Sequence, residues 1–400
     1  MERSSELRVG VVGGSIAGCA MALAVSNAGA DVTVFERSAG RLAERGFGIG
    51  MPKPLREQLV AAGYLAPATP VHAVAQRIWL TRAPDVTGVR ELYRQPTPVV
   101  TCNWGLLWQG LRSRIPEVDY RTGVAVDRVR RTEDGGALVG AAGTEERFDL
   151  VIGADGYHSM IRRLVDPDSV LRPAGYTLWR ASYPEALLPR PVPELEANIV
   201  TAVFPNGHAI FYFIPDAPAP NGHTGRKLNW AVYAYPPAEL TADQHYLPGE
   251  SAAPAHYIKG LAERELPARW ARLVTATDDA AIAAHPVADL TVTRYAAGPF
   301  LLAGDAGALA RPHTASGAMK AVEDALFLQR ALREQPGLPE ALAEYDRTRC
   351  DEGNRLALLG RRLGHDQVEA TPDWLLMDPL SMQAWTTRTL AGLDHYLYRR

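Results

Sequence analysis

The sequence predicts an α/β fold that combines a parallel sheet with an inserted β-sheet and with C-terminal helices. Three stretches indicate this fold class, and they span residues 7–37, 148–163 and 299–332. In each of them a short apolar run leads into a glycine-containing turn and then into a segment with helical character. Short apolar runs of this kind are typical of parallel strands that are covered on both faces.

The first stretch has the pattern of strand, tight turn, helix and second strand. Gly13, Gly14 and Ser15 separate the first strand from a helix rich in small residues, and Glu36 stands at the end of the second strand. The N–H groups of such a turn suit a pyrophosphate, and an acidic residue about 20 positions on suits ribose hydroxyls. The stretch therefore predicts a Rossmann-like dinucleotide-binding unit. The alternative is an ordinary βαβ unit with a glycine turn.

The glycine motif of this unit is incomplete. In the frame G-x-G-x-x-G, which runs from Gly13 to Gly18, Ser15 stands at the second glycine position. A serine there crowds a pyrophosphate slightly, but its hydroxyl can donate a hydrogen bond to it. Because strand, helix, second strand and Glu36 are all in place, the prediction of dinucleotide binding does not depend on the motif alone.

The length and a change of character along the chain predict more than one structural unit. Four hundred residues suggest two domains or one large two-part domain. From residue 172 to residue 236, aromatic residues and prolines cluster in runs that look like sheet strands. The predicted division is a dinucleotide-binding domain at 1–171 with an inserted strand segment at about 71–101, a mainly β-sheet substrate domain at 172–285, a return to the first domain at 286–345, and a C-terminal helical segment at 346–400.

The composition argues against several classes of function. A formal net charge of −3 gives no reason to expect a nucleic acid or an acidic membrane as a partner. Cys19, Cys102 and Cys350 are widely spaced without a C-x-x-C pair, which argues against a disulfide framework or a metal site and fits a reducing cytoplasm. We expect neither a signal peptide nor a membrane span, because no apolar core follows the N-terminus and no run of about 18 apolar residues occurs.

The second and third stretches each have a carboxylate at the end of a buried-type strand. Asp155 follows the strand 150–152 within the sequence GADG, and it either serves a ligand or braces the turn by accepting backbone N–H bonds. Asp305 follows the strand 300–302, where a carboxylate suits a hydroxyl-bearing ligand chain. A helix is expected to begin near Gly317, and the free N–H groups of its first turn suit an electron-rich group.

Two further regions supply candidates for ligand binding. The loop around Arg45 and Gly48 is cationic and can approach a ligand closely, although a solvated glycine loop explains the same pattern. The aromatic face of the β-sheet domain could line a pocket for a planar or apolar ligand, and the alternative is a sheet packed against helices. The pocket candidates are Trp179, Tyr183, Phe211, Tyr212, Trp230 and Tyr233. Since side chains alternate along a strand, only about half of the six can face one ligand.

Taken together, these stretches resemble the flavin-dependent aromatic hydroxylases. Three motifs are similar in order and spacing to single-component FAD monooxygenases of the hydroxybenzoate-hydroxylase fold, over roughly residues 7–345. They are Gly13–Gly18 with Glu36, the GADG turn at 153–156, and Gly304-Asp305 followed by Pro312 and Gly317–Met319. The segments GGSIAG, AGYTLWR and GDAGALARPHTASGAMKA look most like the 2,6-dihydroxypyridine 3-hydroxylase branch. The resemblance implies a Rossmann-like FAD-binding domain of the GR2 type.

The resemblance also implies a set of cofactor-binding residues. The set consists of Gly13, Ser15, Ile16, Ala17 and Gly18 around the pyrophosphate, Glu36 and Arg37 at the adenosine end, Arg45 and Gly48 in the glycine-rich loop, Val126 at the adenine, Asp155 and Asp305 at two strand ends, and Pro312, Gly317, Ala318 and Met319 at the flavin. The helix N-terminus at Gly317 would stabilise the anionic reduced flavin. Two positions depart from the family: many relatives carry an arginine where Asn103 and Trp104 stand, and many carry glycine where Ala315 stands.

The implied activity is the hydroxylation of an electron-rich aromatic or heteroaromatic substrate. NADPH or NADH would reduce bound FAD, and the reduced flavin would react with O₂ to give the C4a-hydroperoxide that transfers one oxygen atom. The protein must exclude water so that peroxide is not released. His313, in the loop expected beside the flavin, is the candidate for deprotonating the substrate, and a loop histidine bonded to the backbone is the equal alternative.

Rival functions stay open on the sequence. The first is an FAD-dependent epoxidase or tailoring enzyme that oxidises a larger secondary metabolite, and the second is a flavin-fold binding protein without turnover. A plain NAD dehydrogenase is disfavoured because it would leave the second and third motifs without a role. A halogenase is disfavoured because the chain lacks a W-x-W-x-I-P signature. The oligomeric state is open, with a homodimer as one alternative.

Overall fold

The computed structural model describes residues 7–40, 42–44, 47–84, 88–116, 119–218, 224–240, 245–247, 250, 253–391, 393 and 395–397. The strands of the first half are β1 (Arg8–Val12), β2 (Asp31–Glu36), β3 (Gly48–Pro52), β4 (His72–Arg82), β5 (Val89–Asn103), β6 (Tyr120–Thr122), β7 (Val126–Arg131), β8 (Ala137–Ala141), β9 (Thr144–Phe148) and β10 (Leu150–Gly153). The later strands are β11 (Arg172–Pro184), β12 (Asn198–Phe204), β13 (Gly207–Pro218), β14 (Thr224–Ala234), β15 (Ala283–Asp289), β16 (Ala296–Ala297) and β17 (Phe300–Leu302). The α-helices are α1 (Ile16–Ser26), α2 (Lys53–Ala61), α3 (Trp104–Arg112), α4 (Arg162–Val165), α5 (Ala253–Glu265), α6 (Ala268–Thr275), α7 (Gly317–Glu334), α8 (Leu338–Gly364) and α9 (Pro379–Leu390).

The three stretches singled out in the sequence form one sheet, and the predicted α/β class is confirmed. The strand order is β16-β17-β10-β1-β2-β6, in which only β16 pairs antiparallel. Val11 of the central strand pairs with Ile152 on one side and Val34 on the other, and all three side chains are fully buried. The carboxyl ends of β1, β10 and β17 therefore meet at one edge, where ligands bind in sheets of this kind.

The second sheet is built from two distant segments of the chain. Its order is β15-β11-β14-β13-β12-β4-β5-β3, and β4 pairs with β12 in parallel. The strand segment at 71–101 therefore belongs to the same sheet as strands of the predicted substrate domain, and β3 extends this sheet as well. Local strand patterns carry no information about which distant strand completes the hydrogen bonds, so the sequence did not reveal this pairing.

Helices cover the sheets and connect the units. α7 packs on α1 beside the parallel sheet, and α5 and α6 cover one face of the eight-stranded sheet. α8 begins at Leu338, so the predicted boundary between 345 and 346 falls inside one continuous helix. The prediction placed the boundary there because the charged faces of the last helices differ from the motif region, whereas the helix itself continues unbroken. The strands β7, β8 and β9 form a separate antiparallel sheet.

The described residues also bear on membrane and metal binding. Within the described ranges, no helix combines the length and apolar character that crossing a bilayer requires. The same residues contain no group of three or more His, Cys, Asp or Glu side chains arranged to hold a metal ion.

Candidate functional site

The glycine turn after β1 is held in a geometry that side chains would block. Gly13 has φ +100°, and its N–H donates to the carbonyl of Phe35 at 2.8 Å. A Cβ atom on Gly18 would lie 1.8 Å from the carbonyl oxygen of Gly13. Helix α1, which contains Gly18, therefore packs directly on the turn, and its N-terminus faces the sheet edge where β1 ends. The N-cap, Ser15, makes no capping bond with its side chain, so its hydroxyl is available to a ligand.

Glu36 supports this turn from the neighbouring strand. Its Oε2 accepts the N–H of Gly14 at 2.7 Å, and its Oε1 accepts the N–H of Ser38 at 2.7 Å. The side chain is only 6% exposed. Each carboxylate oxygen has a second lone pair, so Glu36 can brace the turn and still accept a bond from a ribose hydroxyl.

Two aromatic residues that sequence reasoning missed hold the same turn. The indole Nε1 of Trp108 donates to the carbonyl of Gly14 at 2.8 Å, and the Tyr120 hydroxyl donates to the same oxygen at 2.7 Å. Trp108 lies on α3, which begins at Trp104, at the place where many members of the family carry an arginine. There Asn103 is the N-cap, and its Oδ1 accepts the N–H of Gly105 at 2.9 Å. The helix thus has its own cap and a donor that reaches the glycine turn.

Asp155 follows β10 at the same edge of the sheet. Its Oδ2 accepts the N–H of Met160 at 2.8 Å, which is the bracing role, while its buried Oδ1 has no hydrogen-bond partner. Burial raises the pKa of Asp155, and hydrogen bonds, first from Ser159, oppose this rise. An unsatisfied buried carboxylate oxygen is costly and suits a donor supplied by a ligand. The bracing and ligand roles are therefore compatible.

Asp305 and the N-terminus of α7 form the third part of the site. No hydrogen bond to the Asp305 carboxylate occurs within the described part of the chain, and a Cβ atom on Gly317 would lie 3.8 Å from its Oδ1. Burial raises the pKa of Asp305, and the nearby Lys320 opposes this effect. The N–H groups of the first helical turn have no acceptor within the helix, and Ser316 provides no side-chain cap.

The loop before α7 explains the second departure from the family. Ala315 has φ +49°, in the left-handed region that favours glycine. The glycine that many family members carry here suits this left-handed conformation, and this chain adopts the same conformation with an alanine. The cost of that conformation for a residue with a Cβ atom is about 1–2 kcal/mol.

His313 is buried in this loop among ring systems. Its ring is 3% exposed and stacks on Tyr233 with 4.3 Å between centroids. Its Nε2 lies 2.8 Å from the Tyr176 hydroxyl, which also accepts a bond from Arg311 at 3.3 Å. The tautomer of the His313 ring decides which of the two groups donates in this bond. Burial holds the pKa of His313 well below its usual range, with smaller contributions from His208 and Arg311, so the ring is neutral.

The six aromatic pocket candidates divide between the two faces of the eight-stranded sheet. The strand register puts Trp179, Tyr183, Phe211 and Trp230 on the face that α5 and α6 cover. On that face Phe211 packs on Trp270, and the indole of Trp230 donates to Thr277, so these four side chains are part of a core and do not line the cleft. The sequence pattern could not say which face the helices cover.

Tyr212 and Tyr233 lie on the opposite face, which we call the inner face. It is the face that carries Arg180, Tyr212 and Tyr233 and that meets the loop containing Gly48. The N–H of Gly48 donates to the Asn229 side chain at 2.7 Å, and a Cβ atom on Gly48 would lie 2.4 Å from the Tyr212 ring. Only a glycine allows the loop to approach the sheet this closely.

Arg180 is the residue of the inner face that the sequence analysis overlooked. It lies next to Trp179 on β11, so alternation turns it away from the helix-covered core. Its guanidinium lies 3.8 Å above the ring centroid of Phe47, and Phe47 in turn meets His285 edge to face at 6.2 Å. The signal in the sequence is a cation in an otherwise apolar strand, TLWRASY.

The remaining predicted cofactor residues have varied positions. Arg37 is exposed just after β2, and Val126 begins β7. The N–H of Val124 donates to the carbonyl of Glu36 at 2.9 Å, so the segment before Val126 runs past the end of β2. Pro312 is exposed, and Arg45 lies outside the described residues. Ile16 and Ala17 are buried in the first turn of α1.

A buried charge network that the sequence analysis also missed supports the turn of Asp305. The Lys320 ammonium donates to the carbonyl of Gly304 at 2.9 Å and to Asp324 Oδ2 at 2.9 Å. Asp324 also accepts the N–H of Gly304 at 2.9 Å and Arg349 Nε at 2.7 Å. Lys320 and Asp324 are four residues apart in the sequence, at helical spacing, which is a signal that could have identified the pair.

The donor set as a whole fits a flavin dinucleotide. The glycine turn and the Ser15 hydroxyl suit a pyrophosphate, and Glu36 suits a ribose. The unpartnered oxygens of Asp155 and Asp305 suit ligand donors, and the α7 N-terminus suits an electron-rich carbonyl edge. The glycine turn, Glu36, Asp155 and Asp305 lie at the carboxyl ends of β1, β2, β10 and β17 or directly after them. The N-terminus of α7 lies beside Asp305, since a Cβ atom on Gly317 would be 3.8 Å from its Oδ1.

Comparison with known proteins gives a consistent result. A family model described as "Pyridine nucleotide-disulphide oxidoreductase" matches residues 8–64. The chain is 30% identical over 377 residues to the 3-amino-4-hydroxybenzoate 2-monooxygenase PtmB3 of Streptomyces platensis, covering 90% of this chain and 88% of the relative. It is 28% identical over 375 residues to the 2,6-dihydroxypyridine 3-monooxygenase of Paenarthrobacter nicotinovorans, covering 90% of this chain and 92% of the relative.

A solved structure has the same overall fold. The structure of 2,6-dihydroxypyridine-3-hydroxylase from Arthrobacter nicotinovorans superposes with a TM-score of 0.80 at 22% identity, covering 94% of this chain and 97% of that chain. The predicted fold type, with its dinucleotide-binding domain and second sheet, is confirmed by this likeness.

Proposed function

The chain belongs to the FAD-dependent aromatic monooxygenases, and on this premise we propose that it uses NAD(P)H and O₂ to hydroxylate an electron-rich aromatic or heteroaromatic ring. One observation carries the proposal. The groups that suit FAD and the inner face of the eight-stranded sheet meet at the Gly48 loop and the His313 loop. A ring bound on the inner face would therefore lie beside the flavin end of the site.

Bound FAD supplies the redox chemistry, because it takes electrons from NAD(P)H and makes O₂ reactive toward the substrate. The chain's own residues have other tasks. The α7 N-terminus, from Gly317 onward, orients N–H groups toward negative charge that develops on the flavin. Asp305 and Glu36 would accept hydrogen bonds from hydroxyl groups of the ribityl chain and the ribose, and both carboxylates are fixed by the strands that precede them.

The aromatic interior of the inner face serves to exclude water. Tyr233, His208 and His313 stack on one another, and His208 and His313 are 0% and 3% exposed. A dry wall of this kind protects a reactive oxidising species from hydrolysis. His313 Nε2 is hydrogen-bonded to the Tyr176 hydroxyl, so the buried ring contributes packing and an oriented hydrogen bond rather than a free base.

The test is NAD(P)H oxidation by the purified FAD-loaded protein, with and without a panel of phenols, aminohydroxybenzoates and hydroxypyridines. We expect at least one ring to stimulate oxidation and to gain one oxygen atom from labelled O₂. No stimulation by any small ring, with the flavin still reducible, would favour oxidation of a larger secondary metabolite. Flavin that NAD(P)H cannot reduce would contradict the monooxygenase proposal and favour a binding protein without turnover.

Location and assembly belong to the same proposal. Cys19, Cys102 and Cys350 are all free and buried, which supports a reducing compartment such as the cytoplasm. A homodimer is proposed from two exposed leucines, Leu376 before α9 and Leu380 in its first turn, which are 78% and 76% exposed. Sedimentation of the FAD-loaded protein tests it, and a single species at 43.4 kDa would contradict it.

A further inference from the structure

Arg180 is a cation on the inner face for which the described residues supply no counter-charge. Its Nε is buried without a hydrogen-bond partner, and no ion pair or hydrogen bond of its guanidinium occurs among the residues described. The ring of Phe47 is its nearest companion, with the guanidinium carbon 3.8 Å from the centroid. A cation–π contact of this kind does not replace the hydration that the ion has lost.

Among the described residues, the groups that interact with the charge of Arg180 are phenols and a histidine. Burial lowers its pKa to about 10, and the groups that oppose this shift are the phenols of Tyr233 and Tyr212 rather than carboxylates. On the other side, burial lowers the pKa of His285 to about 3, and the charge of Arg180 adds to that effect. Tyr212 and His285 are therefore uncharged at neutral pH, so neither balances the charge of the guanidinium.

The residues around Arg180 offer aromatic and polar surface to a planar ring. Arg180, Tyr212 and His285 each keep a part of their surface accessible although they lie inside the fold. The His285 Nε2 is buried without a partner, like the Arg180 Nε. Phe47 offers an aromatic surface between Arg180 and His285. A ring with one anionic group would contact the apolar surface and the cation together.

We propose that Arg180 binds an anionic group of the aromatic substrate and thereby selects rings that carry a carboxylate. This inference rests on the proposed function and adds the residue that sets substrate specificity. The guanidinium presents a planar fork of N–H donors that matches a carboxylate with two parallel bonds. The carboxylate supplies the counter-charge that the described residues do not, while the ring lies over Phe47 toward Tyr212.

The proposal is tested with two probes that differ only in the carboxylate, 3-amino-4-hydroxybenzoate and 2-aminophenol. Dissociation constants are measured from the flavin absorbance change of the FAD-loaded wild type, Arg180→Gln and Arg180→Lys. Arg128→Gln, an exposed arginine on the separate three-stranded sheet, is the matched control. We expect Arg180→Gln to weaken binding of the carboxylate probe by about 30-fold or more and binding of 2-aminophenol by less than about threefold. Arg180→Lys should fall between wild type and Arg180→Gln.

A second readout separates recognition from a structural role. Because Arg180→Gln removes a buried cation without a counter-ion, we expect the ligand-free variant to resist urea at least as well as the wild type. A lower midpoint of unfolding together with equal losses for both probes would assign Arg180 to the scaffold and overturn the proposal. A wild type that binds both probes equally, or that does not bind the carboxylate probe, would overturn it too. An Arg180→Gln variant whose only change is a higher KM for NAD(P)H would also overturn the proposal.

The outcomes also distinguish this inference from the proposed function. Binding of the carboxylate probe that depends on Arg180 but leads to no oxygenation of any ring would support the inference as a binding site and contradict the proposed monooxygenase activity. Oxygenation of 2-aminophenol with no preference for the carboxylate, unchanged in Arg180→Gln, would support the activity and overturn the inference.

Discussion

The Lys320 ammonium and the Asp324 carboxylate, one turn apart on α7, form an ion pair at 2.9 Å with side chains that are 3% and 0% exposed. Both groups also bond to the backbone of Gly304, directly before Asp305. The helix therefore supplies two parts of the site at once. Its N-terminus offers N–H groups to a ligand, and its second turn fixes the strand end that carries Asp305.

Replacing Lys320 with methionine should destabilise the protein by about 3–5 kcal/mol, because Asp324 would keep only part of its counter-charge in a fully buried position. FAD should also bind more weakly, since Gly304 loses the donor to its carbonyl. Urea unfolding of the apo protein and FAD titration measure both effects. The control is Arg330→Ala, which removes an exposed pair with Glu334 on the same helix and should cost less than about 0.5 kcal/mol. Equal costs for the two variants would contradict the prediction.

Replacing Gly18 with alanine should disrupt the glycine turn, although alanine is the better helix former. The new Cβ atom would lie 1.8 Å from the backbone oxygen of Gly13, which cannot yield without moving the turn. We expect a loss of about 2–3 kcal/mol in unfolding free energy and FAD affinity lowered at least tenfold. Gly29→Ala is the control: its φ is +90° but nothing lies within 4 Å, so backbone strain alone should cost about 1 kcal/mol. Unchanged FAD affinity in Gly18→Ala would argue against the turn as the pyrophosphate site.

Buried neutral histidines should make the protein sensitive to acid. Burial lowers the pKa of His208 to about 3, with Arg77 adding to the effect. Between pH 6.5 and pH 3 the unfolded chain binds a proton at this residue that the folded state does not, so stability falls as pH falls through this window. Within this window, each such histidine lowers the free energy of unfolding by about 1.4 kcal/mol for each unit that the pH falls.

The measurement is urea unfolding from pH 4.5 to pH 8 for the wild type and His208→Phe, which keeps a ring at the stacking position. The variant should show a slope smaller by about one proton below pH 6. His256→Asn, at an exposed position, should leave the slope as it is. A slope in His208→Phe identical to that of the wild type would mean that His208 is charged in the folded state.

Replacing His313 with glutamine should leave the pH profile of kcat unchanged. The Tyr176 hydroxyl and His313 Nε2 form a hydrogen bond, and burial keeps the ring neutral, so we expect His313 to pack the loop rather than to take the substrate proton. We expect kcat to fall by less than about tenfold, because a lost general base costs about 10²–10⁴-fold. Tyr176→Phe, which removes the same hydrogen bond, should have a similar effect. A loss above about 100-fold together with loss of the acid limb in His313→Gln alone would identify His313 as the base.

The sequence predicted the parts of the site that are encoded locally. The turn at Gly13–Gly18, Glu36 at the end of β2, and Asp155 and Asp305 at their strand ends are all located where strand and turn patterns predict them. Leu107 and Leu111 are buried on one face of α3, at the spacing that a helix facing the core requires. Strand, turn and helix signals arise from neighbouring residues, so they can be read without knowledge of the rest of the fold. The ligand roles of these residues stay predictions.

The tertiary structure decided everything that depends on contact between distant segments. It joined β4 to β12, put α5 and α6 on the face that carries Trp179 and Phe211, and left Arg180 on the other face with Phe47 and His285. Alternation along β11 separates Trp179 from Arg180, but it does not say which of the two faces is covered. That choice is set by which helices bury the larger apolar area, a property of the whole folded chain and not of any one strand.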